Sequence, residues 1–167
     1  DDCSSRGLGD VYKRQGAAFG GGIGLISCCD IALASENSIF SLSEVKVGLI
    51  PATISPYVIN AIGARNARRL FTSGERFDSN IAKQINLVHE IAKEEDLEKR
   101  ISYFINHFKQ NGPQAVIAAK KIVLDIFNKE IDDSVISHTC EVISALRTSK
   151  EGREGVTAFL EKRNPNW

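Results

Sequence analysis

Residues 16–35 read GAAFGGGIGLISCCDIALAS, with four glycines in the first seven positions and an apolar run behind them. A glycine-rich turn opening a helix presents unpaired N–H groups and the positive end of the helix dipole. That arrangement suits an anion, or an oxygen on which negative charge develops. Three ligand readings compete. A phosphate loop needs G-x-x-x-x-G-K-[ST], and no Lys-Ser or Lys-Thr pair follows these glycines. A dinucleotide fingerprint needs G-x-G-x-x-G, a spacing that GGGIG breaks, although Glu44 does lie twenty residues past Gly24. The third is an oxyanion hole for a carbonyl with Glu44 as acid/base. Against all three stands plain packing, with the glycines allowing close strand–helix approach and Glu44 a surface charge beside a loop.

Outward from this stretch, AAFGG reads as a strand end entering a turn, and Gly21–Cys29 as a short helix apolar nearly all round, hence buried. DIALAS (30–35) and SIFSLSE (38–44) are strand-like, the second alternating with period two. Within 43–63, Ser55 reads as an N-cap, Pro56 as the first helical residue and Gly63 as a stop. Helices are expected over 64–73, 78–85, 94–110, 113–128, 131–148 and 151–162, with a strand at LVHEI (87–91) and Asp78 as a cap. The organisation is therefore α/β early and helical late.

Lys plus Arg and Asp plus Glu number 21 each in 167 residues, so the formal charge is zero and disfavours a nucleic-acid partner. No apolar stretch reaches the length of a membrane span. Cys3, Cys28, Cys29 and Cys140 lack zinc-ligand spacing and read as small hydrophobes in a reduced compartment, pointing to the cytoplasm or an organelle matrix. His89, His107 and His138 have no partner spacing and read as solvated or satisfied. Asp30 reads as structural, and Arg65, Arg68 and Arg69 as a solvent-facing helix side. Residues 1–15 show no periodicity and read as a non-native tail outside the fold; DVYKRQ resembles translated adaptor sequence, and the expectation is that the native gene continued further upstream.

Four blocks, GAAFGGGIGLISCCDIALAS, FSLSEVKVGLIP, RRLFTSGERFDSNIAKQINLVHEI and EGREGVTAFLEKRNP, resemble in order and spacing the enoyl-CoA hydratase/isomerase (crotonase) superfamily. GLISCCD and SEVKVGLIPATISPYV are most similar to bacterial methylglutaconyl-CoA hydratase-like members. The resemblance covers residues 16–167. It implies the C-terminal part of a ββα spiral core over 16–95, followed by a helical trimerisation region over 96–167.

The resemblance also implies a site. Gly21 supplies one of two backbone N–H donors to a thioester oxygen, the other lying upstream; such a donor is worth about 3–4 kcal/mol of transition-state stabilisation. Two-glutamate hydratases carry one glutamate where this chain has Gly24, and the second matches Glu44. Gly20, Gly22 and Pro51 fall in the substrate-binding blocks, and Phe159 and Lys162 match residues that touch coenzyme A, often on a neighbouring subunit. PATISPY departs from a usually glycine-rich turn and fits a branched acyl group, while Asn86 replaces a glycine at a helix end. The implied activity is hydration of an enoyl-CoA, with isomerisation by a single glutamate and a non-catalytic binding or assembly module as alternatives. Coenzyme A enters as part of the substrate, with no metal or other cofactor, and a homotrimer or dimer of trimers is expected.

Overall fold

The computed structural model describes residues 11–14 and 16–167. The chain divides into two compact units within one helix, between Ile105 and Asn106, whereas the sequence suggests a change at residue 96.

Among the described residues the first unit carries six strands: β1 (Val11–Arg14), β2 (Ala17–Phe19), β3 (Ile31–Ser35), β4 (Ile39–Ser41), β5 (Arg76–Asp78) and β6 (Glu90–Ala92). One sheet runs β1-β3-β6, all parallel, and the other β2-β4-β5, with only β5 antiparallel. The strand pair β1–β2 is followed by helix α1 (Gly21–Cys28), and β3–β4 by helix α2 (Ser55–Ser73). Because β1 lies beside β3 and β2 beside β4, each ββα turn stacks its strands on those of the next, which is the expected spiral. Residues 11–14 therefore correct the reading of 1–15 as lying outside the fold: their backbone pairs with Ile31–Ala34.

Ile23, Ile26, Phe40, Leu42, Val58, Leu70 and Val88 form the core of this unit, with Phe40 stacked on Phe77 across β4 and β5 at 5.5 Å. Each such side chain contributes about 1.5–3 kcal/mol by leaving water. Helix α1 buries Ile23 and Ile26, but Leu25 is 53% exposed, so the expectation of burial on every side fails. Two residues beyond Ile23, Leu25 points away from the seam. Ser55 is the first helical residue rather than the cap: its hydroxyl donates to Ala52 O at 2.8 Å. Gly63, at φ 76°, ψ 155°, breaks α2 into two helical runs where a stop was expected. β5 was not foreseen, and β6 begins three residues later than LVHEI suggests. Leu87 and Val88 instead turn inward, their N–H groups donating to Ala82 O.

Helix α3 (Ser79–Gln84) is capped by Asp78, whose Oδ1 accepts from Ile81 N at 2.9 Å. Asn86 follows at φ 65°, the left-handed conformation asparagine tolerates. Helix α4 (Leu97–Gln110) begins in the first unit after a 3-10 turn at Glu94–Asp96. The second unit contains α5 (Pro113–Ile126), α6 (Asp133–Thr148) and α7 (Lys150–Leu160), close to the expected spans. Glu151 ties α7 to α5 by accepting from the N–H groups of Gln114 and Ala115 at 3.0 and 2.8 Å. Among the described residues no helix is long and apolar enough to cross a membrane.

Candidate active site

Gly20 stands at φ 50°, ψ −117°, outside the range a side chain readily permits, and caps α1. Its N–H donates to Ser41 O at 3.1 Å, locking the turn onto β4, and its carbonyl accepts from Ile23 N and Gly24 N at 2.9 and 3.4 Å. The Gly21 and Gly22 N–H groups belong to the first helical turn, where no intrahelical acceptor exists. Gly21 is exposed, and a Cβ built on it meets open space.

Glu44 approaches the same turn from β4. It opens a 3-10 turn, Glu44–Val47, closed by Gly48 at φ 75°, and its carbonyl accepts from Leu49 N at 3.0 Å. With its backbone held there, the side chain reaches the glycine turn: a Cβ on Gly20 would lie 2.9 Å from Glu44 Oε1. Oε2 is buried and, among the described residues, has no hydrogen-bond partner. Leaving a buried carboxylate oxygen unpaired costs more than the roughly 1–3 kcal/mol typical of a neutral group, and such an atom has an explanation in strain, an ordered water or ion, or a catalytic role. The Glu44 carboxyl thus lies against the start of a helix whose first N–H groups have no intrahelical acceptor.

Gly20, Gly21, Gly22, Glu44 and the buried Pro51 all lie in the first unit, and the structure brings Gly20 and Glu44 into contact. Phe159 and Lys162 belong to the second unit. Phe159 is 83% exposed near the end of α7, and Lys162 follows in the left-handed region at φ 54°.

The other candidates resolve as structure. His89 Nδ1 accepts from Ala32 N at 3.0 Å, while the His89 backbone N–H donates to Ala32 O at 2.8 Å, stitching the approach to β6 onto β3. His138 pairs with Asp125 at 3.1 Å. Arg65, Arg68 and Arg69 are exposed, and Arg69 makes two hydrogen bonds to Glu75, which hold the Glu75 carboxyl below its ordinary range. The sequence did not expose the neighbour of Gly24. A Cβ there would come within 2.8 Å of Ile54 Cβ, and closer still to Cγ2. The available signal was a glycine inside α1 followed by a branched residue in PATISPY.

The profile of the enoyl-CoA hydratase/isomerase family matches residues 12–167. The chain belongs to that family. It is 31% identical over 156 residues to an enoyl-CoA hydratase of Alternaria alternata, covering 92% of this chain and 52% of that protein. It is 32% identical to a 1,4-dihydroxy-2-naphthoyl-CoA synthase of Mycolicibacterium smegmatis, covering 92% and 50%. The solved enoyl-CoA hydratase from Shewanella pealeana superposes with a TM-score of 0.89 at 46% identity, over 94% of this chain and 58% of that one. An enoyl-CoA hydratase/isomerase from Marinobacter aquaeolei superposes at 0.88 with 33% identity, over 94% and 60%. The chain spans about half the length of the curated relatives it matches. Its ββα spiral and the helices after it share the crotonase fold of these solved structures.

Proposed function

We propose that this chain carries the proton-transfer half of an acyl-CoA hydratase, adding water across the α,β-double bond of an enoyl-CoA thioester. The observation that supports it most is the Glu44 carboxyl lying against Gly20, with Oε2 buried and unpartnered, at the start of α1. Glu44 takes a proton from water as the water oxygen bonds to the β-carbon. The π electrons pass to the thioester carbonyl, and the Gly21 N–H holds the oxygen that becomes negative. Glu44 then returns the proton to the α-carbon, the carbonyl re-forms, and a 3-hydroxyacyl-CoA leaves. Water addition is redox-neutral and its atoms balance without a further cofactor. Gly20 and Gly22 keep the turn open to the thioester, and Pro51 backs the acyl group. Phe159 packs on the adenine and Lys162 meets a phosphate as a point charge, on the coenzyme A of this or a neighbouring subunit.

A branched or methylglutaconyl-type acyl group is the substrate suggested by PATISPY. The exposed apolar residues of the second unit, among them Leu124, Phe127 and Ile143, support a homotrimer or a dimer of trimers. Cysteine usage supports a cytoplasmic setting.

One observation favours isomerisation as a second reading: Ile54 occupies the space at Gly24, leaving Glu44 as the acid beside the glycine turn. A single carboxyl can shuttle a proton between two carbons.

The complete protein, given a 2-enoyl-CoA and a 3-enoyl-CoA in turn, separates these readings. Hydration of the first is expected, and a double-bond shift without hydration would establish the isomerase. Glu44→Gln should lower kcat by about 10²–10⁴-fold. Undiminished turnover in that variant would remove Glu44 from the mechanism, and an inactive wild type would favour a binding module.

A further inference from the structure

We infer that Ile54 is a positioning residue that holds this site to a single carboxylate, and the inference rests on the hydratase reading above. Gly24 N–H donates to Gly20 O at 3.4 Å, so residue 24 stands one turn, about 5.4 Å, along α1 from the cap. Gly20 faces Oε1 of Glu44, and Gly24 faces the side chain of Ile54. Position 24 is thus one helical turn from the amides proposed to hold the thioester oxygen, and it is where the resemblance implies the further glutamate of two-glutamate hydratases.

Ile54 closes that place firmly. The atoms a Cβ at position 24 would strike first are the Cγ2 and Cβ of a branched side chain, not the far end of a flexible one. Branching at Cβ leaves Ile54 few rotamers with which to move aside. Its backbone is fixed at the start of α2, where Ile54 O accepts from Val58 N at 3.0 Å, and its side chain packs on the core. A side chain at position 24 therefore cannot be accommodated without displacing Ile54. Proton transfer from water and proton delivery to carbon both pass through Glu44.

Two measurements on the complete protein test this. In a thermal double-mutant cycle, Gly24→Ala should lower Tm by about 3–10 °C when Ile54 is present. In an Ile54→Gly background, which removes both Cγ2 and Cβ, the same change should leave Tm unchanged or raise it, since alanine favours helix. Additive effects would overturn the inference. Second, adding Gly24→Glu to the Glu44→Gln/Ile54→Gly protein should raise hydration at least about 10-fold and add a carboxylate limb to the pH profile of kcat/KM. A merely structural role for Ile54 would produce neither change, and a folded triple variant no more active than its parent would overturn the inference. Undiminished turnover in Glu44→Gln alone would instead sink the catalytic reading, and the thermal cycle would still decide whether Ile54 fills the position.

Discussion

Gly20 combines a backbone conformation that disfavours side chains with a neighbour, Glu44 Oε1, already seated where a Cβ would go. Gly20→Ala should therefore destabilise the protein by about 1–3 kcal/mol, the usual cost of such strain, and should lower kcat as Glu44 is displaced. Tm and steady-state kinetics check both, and an unaltered kcat would argue against a working contact. At this scale the sequence was most informative where one residue type solves one backbone problem. Asn86 at φ 65° and Asp78 capping α3 were both readable from their chemistry. Ile54 against Gly24 was not, because the contact joins residues thirty positions apart and depends on how α1 and α2 pack.

Elements were legible in proportion to their length. The late helices follow from apolar spacing and cap residues, with Asp132 and Ser149 accepting from Val135 N and Gly152 N. The strands are three to five residues long, too short for alternation to mark their ends, so β5 escaped notice and β6 slipped along the chain. Helix α7 and the segment after it are joined by Arg163, which makes two hydrogen bonds to Glu154 at 2.6 and 3.1 Å. These bonds, with one from Asn166 N–H and the positive charge of Arg163, pull the Glu154 carboxyl from 4.5 down to about 2. A carboxyl whose folded pKa is depressed stabilises the fold above its unfolded value and loses that contribution as pH falls. The Tm difference between wild type and Arg163→Ala should thus be full at neutral pH and shrink from pH 4.5 towards 2. The pair is exposed, so the effect should be small, and a gap that does not change with pH would contradict the pairing.

For the whole molecule, the α/β spiral was readable because four separated blocks agree in order, whereas the pairing of β1 was hidden in residues that lack periodicity. The proposed trimer predicts a solution mass of three or six copies, and a monomer by light scattering would overturn it. The most direct test of the central claim is a crystal structure of the complete protein bound to a 3-hydroxyacyl-CoA. The account predicts the thioester oxygen about 3 Å from Gly21 N and a Glu44 carboxyl oxygen about 2.6–3.2 Å from the β-hydroxyl. A thioester oxygen remote from Gly21, or a Glu44 carboxyl turned away from the acyl chain, would contradict it.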